Sequence, residues 1–121
     1  MCIFAALYKG EPLFECGDSK IMESWVDTLG PLPSSWKDSY YEQDGRDDSS
    51  WYDQTRKPKG EKSLKYFVDI EALPSRTDEL ERDRVLSILQ KGLCYEPSKR
   101  PSADELLTDP SFTALMARYN L

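Results

Sequence analysis

The 121-residue sequence predicts a mainly α-helical domain over 1–121, interrupted by an irregular insert at 37–76. One observation is the stripe Val85, Leu86, Ile88, Leu89 and Leu93, which recurs at helical spacing behind the acidic first turn Asp78, Glu79 and Glu81. A second is Ser102-Ala103-Asp104-Glu105, an S-x-x-E capping box that follows Pro97 and Pro101. The third is a gap: across residues 37–65 the only aliphatic side chain is Leu64.

Taken in order, residues 2–8 read as a buried helix closed by Gly10 and Pro12. Asp18 or Ser19 caps a second helix, in which Ile21, Trp25 and Leu29 recur at fourth positions beside Met22 and Val26, and Gly30-Pro31 stops it. In the insert, Tyr40, Tyr41, Trp51 and Tyr52 stand among charged residues, so a loop with aromatic anchors is expected; Trp36, Trp51 and Tyr52 pin it to the helices. The stretch 64–70 reads as extended, and Leu73-Pro74 ends it. Thr77 or Asp78 caps the helix that carries the long stripe, with Lys91 in its last turn. A fourth helix starts at Ser102, and a short one through Phe112, Leu115 and Met116 follows Asp109-Pro110.

Composition narrows the function classes. A net charge of −6 argues against nucleic-acid binding, for which a basic stripe is usual. Leu, Ile, Val and Phe together make up about a fifth of the chain, near the ~20% level below which chains tend to disorder. Cys2, Cys16 and Cys94 are odd in number and lack C-x-x-C spacing, and there is no His, so neither a disulfide framework nor a transition-metal site is expected. The apolar start is too short and lacks the basic leader of a signal peptide, and no run approaches the ~20 apolar residues that span a bilayer. The expected compartment is intracellular, cytoplasm or nucleus, with no membrane partner.

Physics gives no reason for Arg100, a guanidinium between a proline turn and a helix start. Its surroundings, Tyr95-Glu96-Pro97-Ser98-Lys99-Arg100-Pro101-Ser102-Ala103-Asp104-Glu105-Leu106-Leu107, resemble the last block of eukaryotic serine/threonine protein kinases, D-P-x-x-R-P-[ST]-A-x-E-L-L, with Glu96 in place of the usual Asp. Cys2-Ile3-Phe4-Ala5-Ala6-Leu7-Tyr8-Lys9-Gly10-Glu11-Pro12-Leu13-Phe14 is similar to the end of the central helix of a kinase C-terminal lobe, with Ala6 where an acidic residue is common. Leu29-Gly30-Pro31-Leu32-Pro33-Ser34-Ser35-Trp36 resembles the turn after the next helix in kinases related to the SR-protein, cyclin-dependent and MAP kinases. The resemblance implies a partial kinase C-terminal lobe, and it is loose between residues 37 and 76.

A kinase's catalytic parts are not in this sequence. The glycines never form G-x-G, no D-F-G or A-P-E occurs, and Arg46-Asp47 and Arg82-Asp83 have Tyr52 and Ile88 where the magnesium-binding Asn would stand. The expectation is therefore no catalytic, cofactor-binding or metal residue here, with ATP and magnesium implied only for the family at large. On the resemblance Met1 falls inside the central helix, so the chain reads as a fragment of the lobe.

The family implies that Arg100 pairs with the Glu of A-P-E, against the plain alternative of a solvated loop Arg. With that partner missing, a buried unpaired charge would cost ~3–5 kcal/mol. The same resemblance suggests that Glu15, Asp18, Glu23 and Asp27 dock an Arg-rich protein segment, since carboxylate and guanidinium form charge-assisted pairs. More simply, Asp18 is a cap, and Glu23 and Asp27, four apart on a solvated face, repel slightly. Trp25 reads as core. Ile3, Phe4 and Leu7, which other kinase segments cover in an intact lobe, should be exposed here. Three readings follow: a kinase-lobe fragment inactive alone, a kinase-remnant module that binds a protein partner, or an unstable piece.

Overall fold

The computed structural model describes residues 1–14, 21–37, 49–69 and 78–121. The described residues form six α-helices and no strand: α1 (Cys2–Lys9), α2 (Ile21–Leu29), α3 (Leu64–Asp69), α4 (Glu79–Gly92), α5 (Ala103–Leu107) and α6 (Pro110–Arg118). The chain is mainly α, as the periodicities require. It divides into two compact units, Met1–Leu13 with Leu64–Leu121, and Phe14–Ser63. Of the stretch 37–76, read from sequence as one insert, residues 38–48 and 70–76 lie outside the described residues.

In the first unit α4 is the central element, and α3 and α6 pack on it. Asp78 caps α4 by accepting the Glu81 amide at 2.8 Å. The predicted stripe turns inward, with Val85, Ile88 and Leu89 fully buried and Leu86 and Leu93 partly covered. At α5 the capping box forms as read: Ser102 Oγ accepts the Glu105 amide at 3.2 Å, while Glu105 Oε2 accepts the Ser102 amide at 2.7 Å. Asp109 caps α6 in front of Pro110, whose absent N–H costs nothing at that position, and α6 buries Leu115.

Helix α1 closes where expected. Gly10 takes φ 79°, and its amide donates to the Ala6 carbonyl at 2.8 Å. Ala5 and Lys9 are buried, and the Lys9 ammonium lies over the Phe67 ring, 5.6 Å from its centroid. Burial lowers the Lys9 pKa, against the opposing pull of Glu11 and Asp69. The opposite face is bare, with Ile3 76% and Leu7 80% exposed. Phe4 is only half-covered.

One element corrects the sequence reading. Residues 64–69, expected to be extended, are helical. Leu64 and Val68, four apart, both turn into the core, and Lys65 pairs with Asp69 at 2.7 Å over the same spacing. In a strand 65 and 69 would share a face but stand about 13 Å apart, too far for this ion pair.

The second unit is built on α2. After α2, Gly30 takes φ 96° and donates to the Val26 carbonyl at 3.0 Å. Leu32 is fully buried and donates its amide to the Trp51 carbonyl at 2.7 Å, while Gln54 Nε2 reaches the carbonyls of Leu32 and Tyr52, each at 2.9 Å. Trp51 and Tyr52, in a 3-10 turn over Ser49–Tyr52, join Met22 and Val26 in this unit's core. The aromatic anchoring read from sequence is present at these two residues, while Trp36 is only partly covered. Trp25 is half-buried and meets Phe14 edge-on, with centroids 6.2 Å apart.

Candidate functional site

The acidic side chains of α2 are placed very differently from one another. Asp27 has no exposed surface. Its Oδ1 accepts from Arg56 Nη2 at 2.9 Å, and its Oδ2 accepts from Lys59 Nζ at 2.9 Å, with Lys62 Nζ 3.6 Å away. The main chain adds a further tie, because the Lys59 amide donates to the Asp27 carbonyl at 2.9 Å. Local sequence explains how three cations arrive together: Arg56 follows the Asp53-centred turn, and a 3-10 turn over Gly60–Lys62 brings Lys62 back toward Lys59.

Burial by itself would raise the Asp27 carboxyl pKa. The hydrogen bonds from Lys59 and Arg56, helped by the charges of Lys59 and Lys62, outweigh that and hold it below the usual carboxylate range. Asp27 is therefore favoured in its ionised form, with each oxygen accepting from a cation. The solvated face expected for it is corrected, because four residues beyond Glu23 the helix turns Asp27 under residues 56–62. Glu23 is the outward carboxylate, half-exposed, with Lys59 Nζ 3.8 Å from its Oε1. Glu15 and Asp18 lie outside the described residues.

Arg100 takes the plain alternative of a solvated loop residue. It is exposed, and its Nε donates to the Cys94 carbonyl at 2.6 Å and its Nη2 to the Tyr95 carbonyl at 3.2 Å. The guanidinium thus closes the turn that follows α4, where carbonyls lack helical partners. The cost of a buried unpaired charge does not arise, because this charge is in water and hydrogen-bonded.

A third cluster escaped the sequence reading. Glu81, counted there only as a first-turn acid, is fully buried. Tyr119 Oη donates to its Oε1 at 2.8 Å, Tyr8 Oη lies 3.4 Å from the same atom, and Arg118 Nε stands 2.9 Å from Oε2. Arg118 Nη1 also donates to Asp78 Oδ2 at 2.7 Å. The hydrogen bond to Glu81, with burial, raises the Tyr119 pKa, and the Arg118 hydrogen bond lowers that of Asp78. The available signal was position: Glu81 stands four residues before Val85 and seven before Ile88, on the stripe itself. Among the described residues no group of three or more His, Cys, Asp or Glu side chains could hold a metal ion. No helix among them is long and apolar enough to cross a membrane.

Mitogen-activated protein kinase 17 of Oryza sativa subsp. japonica is 30% identical to this chain over 120 residues, covering 94% of the chain and 17% of the rice protein. This is a distant relationship to the protein kinases. The chain therefore spans under a fifth of the length of that relative. No family model and no solved structure matches the chain.

Proposed function

We propose that this chain is a C-terminal-lobe portion of an ATP-dependent serine/threonine protein kinase of the branch that includes the SR-protein kinases. It supplies scaffold and part of a protein-facing surface, not phosphotransfer. The observation that carries the reading is the block 95–107, where Arg100 closes the turn on the Cys94 and Tyr95 carbonyls immediately before the Ser102–Glu105 capping box. The rice kinase likeness across 94% of the chain supports it. The ATP and magnesium of the reaction would be held by kinase motifs that these 121 residues do not contain. The compartment that goes with this reading is the cytoplasm or nucleus.

Docking of an Arg-rich protein segment then falls to Glu23, with Glu15 and Asp18 nearby in sequence, while Asp27 is already engaged by the chain's own cations. A non-catalytic, kinase-remnant interaction module is the second reading. It is favoured by the bare apolar face of α1.

Two measurements test the proposal. Incubation with labelled ATP, magnesium and an Arg-Ser-rich peptide should leave the peptide unlabelled, and chain-dependent labelling would overturn the non-catalytic assignment. Binding of the same peptide, followed by anisotropy, should weaken with salt and with Glu23→Gln. Binding indifferent to both would overturn the docking assignment.

A further inference from the structure

Arg56 does more than hold Asp27. Its Nη1 reaches Ser50 Oγ at 3.1 Å while Nη2 is on Asp27, so one guanidinium fork bridges a surface hydroxyl and a buried carboxylate. Ser50 is exposed. In sequence it is preceded by Asp47-Asp48 and followed by Asp53 three residues on. A kinase with a basic substrate cleft selects such a serine, because the flanking carboxylates pair with the cleft's cations.

We propose that Ser50 is a phosphorylation site for an acidophilic protein kinase and that Arg56 is the built-in receptor for its phosphate. In the transfer, Ser50 Oγ bonds to the γ-phosphorus of ATP held by that separate kinase. The bond from this phosphorus to the β,γ-bridging oxygen breaks, ADP leaves, and the hydroxyl proton passes to that kinase's base. The product places a charge of about −1.5 to −2 and three acceptor oxygens beside Arg56. A hydrogen bond between a neutral hydroxyl and Nη1 becomes a charge-assisted one, for which a guanidinium is the best-suited cation. Asp27 keeps Lys59 at 2.9 Å and Lys62 at 3.6 Å, so its charge stays paired. The phosphate thereby fastens the 49–56 stretch to α2.

The same S-x-x-[DE] spacing occurs at Ser24, Ser35, Ser39, Ser75 and Ser102, and these are set apart on physical grounds. Ser24 is buried, and the Ser102 hydroxyl caps α5. Ser35 is followed two residues later by Lys37, which a basic cleft repels. Ser39 and Ser75 lie outside the described residues. Arg56 on Oγ distinguishes Ser50.

The test treats the full chain with a purified acidophilic casein kinase and ATP, then locates phosphate by tandem mass spectrometry. Phosphate at Ser50, absent from Ser50→Ala, is expected. Phosphorus-31 titration of that product should then give a second ionisation below the ordinary value of ~6 in the folded chain, returning to ~6 in urea. The shift should shrink in Arg56→Gln. No phosphate at Ser50 while an acidic control peptide is labelled overturns the site. Equal ionisation in folded and unfolded chain overturns the role of Arg56.

Discussion

Replacing Asp27 by Asn removes the charge on which Arg56, Lys59 and Lys62 converge but keeps the shape of the side chain. Two hydrogen bonds of 2.9 Å to a fully buried carboxylate are at stake. At about 1.5–3 kcal/mol for each bond to a charged group, the gross loss is about 3–6 kcal/mol. Asn retains one carbonyl acceptor, and the cations are not trapped, since the side chains of Arg56, Lys59 and Lys62 are 22%, 54% and 48% exposed and regain water. The expected cost is therefore ~2–3 kcal/mol, below the range for stranding a wholly buried charge. The assay is built into the sequence: Trp25, Trp36 and Trp51, all the tryptophans of the chain, lie in the Phe14–Ser63 unit. Urea unfolding followed by tryptophan fluorescence reports that unit, with Glu23→Gln as a surface control. A cost for Asp27→Asn under about 0.5 kcal/mol, the level of surface substitutions, would refute the cation cage.

Leu89→Ala should destabilise the helical unit by about 2–5 kcal/mol in circular-dichroism melts, because Leu89 is fully buried; a change under about 0.5 kcal/mol would deny it a core role. The Asp27 carboxyl is depressed in the fold, so its contribution is complete above the unfolded pKa of ~3.9 and is lost as pH falls through the lower folded value. Stability should thus decline from about pH 5 downward, less steeply in Asp27→Asn, and equal acid limbs would contradict the pairing. Leu7→Glu, at a side chain 80% exposed, should leave stability within about 0.5 kcal/mol and reduce self-association in light scattering. Unchanged scattering would show that the bare face of α1 does not drive association.

Local signals were legible, and distant ones were not. Gly10 as a stop, Asp78 as one of two candidate caps, the helix start after Asp109-Pro110 and the Ser102–Glu105 box each act within four residues, so sequence specifies them directly. Helix α3 was misread because a stretch as short as six residues fits both periods, and only the joint burial of Leu64 and Val68 with the Lys65–Asp69 pair decides. Asp27 was misplaced for a different reason: Arg56 and Lys59 stand 29 and 32 residues away, and no periodicity of α2 announces them. Arg100 was recognised as unusual, but its partners are backbone carbonyls, which every residue carries and no sequence pattern marks. Glu81 was within reach, since its place on the stripe predicts burial, yet its helix-dipole role offered a sufficient explanation.

The central claim, a kinase-related lobe without nucleotide chemistry, is tested most directly by calorimetric titration of the purified chain with ATP in the presence and absence of magnesium. The account predicts no saturable heat under either condition, because no G-x-G loop, D-F-G or paired Asp and Asn occurs in the sequence. Saturable, magnesium-dependent binding near one nucleotide per chain would contradict it.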